Sequence, residues 1–208
     1  ELELYNGNYK TSQRYYKSFL KNYKGKNFIK DTYYKLFLAD WLEKGKMNFI
    51  DKEKYFQLIR THGFELTEVD KYAMKFVESE KKLQIDLMRA RLFFDGGHFE
   101  KSLLILNKIK ERDLLTLSNQ TELVYRKARA FHELKKEYSA IDFYKKTISL
   151  GENLPQYFAA YAALQLGYLF QKNEPKLARR YFEQALKFPN QEYKSSIDNK
   201  AKAALKKN

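Results

Sequence analysis

Three histidines, His62, His98 and His132, are the first residues to weigh for chemistry in this 208-residue chain. A metal site or a proton relay needs partners at a fixed short spacing, and none of the three has one. His62 stands beside Gly63 in a loop pattern and His98 in the turn "DGGHFEKS", so each reads as a surface or turn residue. That turn has two glycines but no Gly-Lys-Ser/Thr, so it is not a phosphate loop. In "ESE" Glu78 and Glu80 fall on opposite sides of a helix and cannot share a proton. The absence of Cys removes disulfides, thiolate nucleophiles and Cys-ligated zinc together. No enzyme, metal or cofactor is expected from these residues.

The elements that would carry any site are helical. In "LGYLFQKNEPKLARRYFEQALKFPN", residues 166 to 190, Leu166 and Phe170 share one phase. Leu177, Ala178, Tyr181, Phe182, Ala185 and Leu186 resume it, at spacings of three and four that put side chains on one helical face. The phase breaks at Asn173-Glu174-Pro175. Asn173 is expected as a cap and Pro175 in the first turn of a new helix. So short a connection makes the helices antiparallel neighbours, with Gly167 and Ala178 small enough for close approach.

One hairpin cannot bury its apolar face alone, and copies of it are present. Residues 120 to 150 place Ala128, Phe131, Tyr138, Ala140 and Tyr144 in the same order. Residues 86 to 109 repeat it with Ala90, Phe93, Gly96-Gly97, Phe99, Ser102 and Leu106. Ala90 to Ala128 is 38 residues and Ala128 to Gly167 is 39, which marks a repeat architecture.

This order resembles the tetratricopeptide repeat, in which a helix A carries Leu-Gly and an aromatic and a helix B carries Ala, an aromatic and Ala. Leu166, Gly167, Phe170, Ala178, Phe182 and Ala185 carry the resemblance in the last copy, and Ala128, Phe131, Ala140 and Tyr144 in the one before. The period exceeds the usual length of about 34 residues. Thr147 replaces the final Ala, and Ala178 comes one residue early. The implied fold is all-α, an α-α superhelix: a solenoid of antiparallel hairpins.

Fainter copies continue upstream. Residues 1–24 read as a partial repeat with Gly7, Tyr9, Ser12, Tyr16 and Phe19 in the expected slots, and 27–61 as a divergent one with Leu38 and Trp41. Residues 67–79 form an inserted helix whose start, Thr67 with Asp70 three on, is a capping-box variant. Repeats then occupy 80–111, 119–150 and 154–188. Residues 191–207 form a capping helix with the stripe Tyr193, Ile197, Ala201, Ala204, Leu205. The insert "EVDKYAMKFV" and the tail "YKSSIDNKAKAAL" also resemble, over the C-terminal two thirds, the inclusion-body clearance branch of outer-membrane-associated repeat proteins. The opening "ELELYNGNY" reads as the last turn of a helix A, which suggests the C-terminal part of a longer protein. On that reading Tyr15, Tyr16, Phe19 or Leu20 faces water, and the first hairpin could pair with another copy.

Net charge is +14, which invites a nucleic-acid reading. Residues 1–60 carry 13 basic and 7 acidic groups (+6), 61–170 carry 17 and 15 (+2), and 171–208 carry 10 and 4 (+6). The excess sits at the ends, as solvated Lys on outer faces would, and the 17 Tyr fall mostly in packing slots. A basic helical nucleic-acid binder is therefore the alternative, not the leading expectation. The resemblance implies a concave groove lined by A helices, here by Arg91 and Phe94, then Tyr125, Arg129 and His132, then Tyr161 and Tyr168. Arg and Tyr dominate, the types that anchor protein interfaces. The family's chaperone-tail clamp, a Lys and an Asn one turn apart on the first A helix, is not found. A non-catalytic scaffold for an acidic or mixed peptide is the functional expectation.

Overall fold

The computed structural model describes residues 1–79, 83–189 and 192–207, so Glu80 lies outside the described residues. Among those described there are twelve α-helices, one short 3₁₀ turn at Glu111–Asp113, and no strand. Contacts divide the chain into two units, Glu1–His98 and Phe99–Asn208. The division falls in the turn at Gly96-Gly97-His98.

The first unit holds α1 (Leu2–Tyr5), α2 (Tyr9–Asn22), α3 (Ile29–Lys44), α4 (Phe49–Thr61), α5 (Glu68–Glu78) and α6 (Ile85–Asp95). Helix α3 buries Tyr34, Leu36, Phe37, Leu38, Ala39, Trp41 and Leu42, apolar positions on every side, so it must run through the middle. Helices α2, α4 and α5 pack around it, and the Phe37, Phe56 and Phe76 rings meet with centroids 5.5 to 6.0 Å apart.

Two buried charges fix the ends of these helices. Lys30 Nζ donates to the carbonyls of Ile59 at 2.8 Å and Arg60 at 3.0 Å, satisfying the C-terminal end of α4. Asp70, in the first turn of α5, accepts from the N–H of Phe28 at 2.7 Å and of Asp31 at 3.1 Å, closing the N-terminal end of α3. Thr67 accepts from the Asp70 N–H at 3.2 Å, so the inserted helix starts where its capping pair places it.

Helix α1 packs on α2 and α6, and Asn6 meets His98 Nε2 at 2.7 Å. The structure divides the residues expected to face water on the first hairpin. Tyr16 and Leu4 are buried and Phe19 and Leu20 half-buried, because α1 and α3 flank α2; of the four named residues only Tyr15 stands fully in solvent.

The second unit contains α7 (Phe99–Lys108), α8 (Leu117–Glu133), α9 (Glu137–Gly151), α10 (Phe158–Phe170), α11 (Pro175–Lys187) and α12 (Lys194–Lys207). Each helix packs on the next, and α10 also touches α8 and α12. Small residues permit this. A Cβ on Gly167 would collide with the Phe182 ring, and one on Gly151 would lie 3.0 Å from Thr121 Cγ2 and 3.1 Å from Ala159 Cβ. Pro175 occupies the first turn of α11 as its chemistry requires. Asn173, expected as the cap, is not one; Glu174 holds that position, its N–H bonded to the Phe170 carbonyl at 2.8 Å, because the chain turns tightly off α10 first. Ile197, Ala201 and Ala204 are buried along α12, while Tyr193 precedes the helix and is exposed. Among the described residues no helix is long and apolar enough to cross a membrane.

Candidate functional site

Within the second unit, α8, α10 and α12 converge on one aromatic ring. Residues 125, 129 and 132 share a face of α8 at helical spacing, and α10 lies against that helix. The Arg129 guanidinium carbon stands 5.5 Å from the Tyr161 ring centroid. Lys200 Nζ, from α12, lies 6.0 Å from the same centroid. Each cation is electrostatically favourable over the ring, whose faces carry its negative quadrupole. Arg129 Nη1 also donates to the Tyr125 hydroxyl at 3.2 Å, which fixes its fork in place.

The rest of the cluster is aromatic. Tyr157, one turn before Tyr161, lies 5.6 Å from the Tyr125 ring and 5.2 Å from that of Tyr193. His132 Nδ1 sits 3.2 Å from the Tyr144 hydroxyl, joining α8 to α9. Burial, helped by the neighbouring Lys135 and Arg129 cations, holds the His132 imidazole below its ordinary pKa, against the pull of Glu133 and Glu137. Burial also disfavours the Arg129 charge, but the oxygens of Tyr125, Tyr144 and Tyr161 more than offset it, and the guanidinium pKa is raised.

Tyr125 is a correction. It is 2% exposed, covered by Phe158 at 5.0 Å and Tyr161 at 6.2 Å, so it forms the floor that orients Arg129 and cannot itself touch a partner. Tyr168 is exposed and leans on Phe182 with centroids 5.3 Å apart. Arg91 and Phe94 belong to the first unit. There Arg91 Nη1 donates to the Tyr72 hydroxyl at 2.9 Å, its guanidinium stacks 5.6 Å from that ring, and its Nε lies 3.6 Å from Asp95. Arg91 is thus an internal strut, and Phe94 is half-buried beside it in α6.

Lys200 and Tyr157 were not singled out by sequence. Tyr157 carries a visible signal, standing four residues before Tyr161; Lys200, in a helix rich in Lys, carries none. The arrangement offers forked and single cationic donors beside stiff aromatic surface, which suits carboxylates and aromatic side chains. Among the described residues no group of three or more His, Cys, Asp or Glu could hold a metal ion. No protein-family model matches the chain, and neither does any curated protein or solved structure.

Proposed function

We propose that this chain is a non-catalytic interaction scaffold, a tetratricopeptide-like stack of hairpins, that binds an acidic or mixed peptide across α8, α10 and α12. The observation that carries the reading is the convergence of Arg129 and Lys200 on Tyr161 from three separate helices. A carboxylate meets two cations there, one already oriented by Tyr125, so little side-chain freedom is lost on binding. Tyr161 and Tyr168 add large contact area at low entropic cost.

The test is to pan a random peptide library against the intact protein and its Lys200→Gln and Arg129→Gln variants. Wild type should enrich sequences combining Asp or Glu with an aromatic residue, and both variants should lose them while keeping the same helical circular dichroism. Equal enrichment by all three proteins would refute the site. The competing reading, a basic nucleic-acid binder, draws on lysines in the terminal segments and so implies weak, sequence-indifferent binding lost between low and physiological salt. A sequence-selective complex that resists salt would replace the peptide reading.

A further inference from the structure

At one end of the first unit four helix ends meet: the C-termini of α2 and α4 and the N-termini of α3 and α5. The loops between them lie side by side. The Phe64 N–H donates to the Lys26 carbonyl at 3.1 Å, the Phe28 N–H to Asp70 at 2.7 Å, and a Cβ on Gly63 would stand 2.6 Å from Ile29 Cβ. From this end large apolar side chains protrude. Phe28 is 45% exposed, Phe64 56% and Leu66 65%, with Tyr23 and Val69 beside them.

Phe28 also adopts φ 64°, the left-handed region that a bulky side chain enters only at a cost. Lys24 and Lys26, in the loop that carries Phe28, and Lys21, in the last turn of α2, are exposed. Of the acidic groups in the facing loop and the first turn of α5, Asp70 is buried and hydrogen-bonded, Glu68 is paired with Lys71 at 2.7 Å, and Glu65 remains.

We infer that this end of the first unit is a docking surface for an anionic lipid bilayer, with Phe28, Phe64 and Leu66 entering the interface and Lys21, Lys24 and Lys26 at headgroup level. Phe28, Phe64 and Leu66 each leave about half or more of their surface in solvent, so an occupant must take in their apolar tips. A two-fold contact with a second copy would bring this lysine-bearing patch against the same patch, like charge with like. An anionic bilayer meets both features, taking the apolar tips into its boundary region and attracting the lysines around them. The inference stands apart from the peptide face, which lies in the other unit.

The experiment is co-sedimentation of the intact protein with phosphatidylcholine vesicles, with and without phosphatidylserine. Phosphatidylserine vesicles should carry the protein down and phosphatidylcholine vesicles far less. Phe64→Ser with Leu66→Ser should weaken partitioning by about tenfold or more. Lys24→Gln with Lys26→Gln, both on exposed side chains, should weaken it by about fivefold per lysine and flatten its salt dependence. The idea fails if phosphatidylserine vesicles leave the protein in solution, or if both double variants sediment like wild type. It fails equally if wild type self-associates in analytical ultracentrifugation and the serine variant does not, since the patch would then cover a second copy.

Discussion

Lys30 and Asp70 hold helices of the first unit by hydrogen bonds to backbone groups, whereas Gly151, Gly167 and Ala178 let helices of the second approach until they touch. The same contrast runs through the two arginines. Arg91 donates to Tyr72 and faces Asp95 inside its unit, while Arg129 donates to Tyr125 and lies over a ring that a third helix also reaches. In the periodic part of the sequence small residues set how closely the helices approach, with polar contacts such as that of His132 with Tyr144 added to the fit. Where the period fails, a few buried polar groups must specify which helix end meets which, because leaving any of them unpaired is expensive.

If shape governs the second unit, its largest response should come from a ring. Phe182→Ala removes the side chain that fills the space against Gly167 and should destabilise by about 4 kcal/mol in chemical denaturation. A cost below about 1 kcal/mol would show that the fit is not what holds α10 to α11. If polar specification governs the first unit, Asp70→Ala should cost about 3 kcal/mol, because the N–H groups of Phe28 and Asp31 lose their acceptors. Asp70→Asn, which keeps an acceptor oxygen, should recover part of that loss, and equal costs for the two variants would contradict the assignment.

The smallest effect is the pH response of the second unit. The folded-state pKa of His132 lies below its ordinary 6.5, so the unfolded chain binds more protons and folding stability is lost as pH falls through that lowered value. Melting temperatures measured on the acid side of 6.5 should show this decline, and His132→Gln should remove its share of the slope.

What could be read from sequence follows the same division. The 166–190 hairpin announced itself because Gly167, Ala178 and Phe182 recur at helical spacing, and Thr67 marked its helix because capping is local chemistry. Lys30 and Asp70 gave no sign of their long-range partners. Each is an ordinary charged residue in a charged chain, and its use depends on a helix end about 30 to 40 residues away. Tyr125 had the right phase for an open face, but packing of α8 on α10 at that level buries it. Lys200 was legible only as one lysine among many in its helix, since nothing local says which of them meets a ring.

The turn contact between Asn6 and His98 joins residues 92 apart, and the Asp70 clasp on Phe28 joins residues 42 apart. In the second unit His132 reaches Tyr144 across only 12. Closing the longest of these loops rather than the shortest spans about three doublings of length, about 2 kcal/mol of extra closure entropy before any contact repays it. The hairpin at 117–151 therefore closes on local contacts, whereas the bond between Asn6 and His98 requires distant parts of the first unit to meet. Of the three contacts, the one between Asn6 and His98 is the costliest to close.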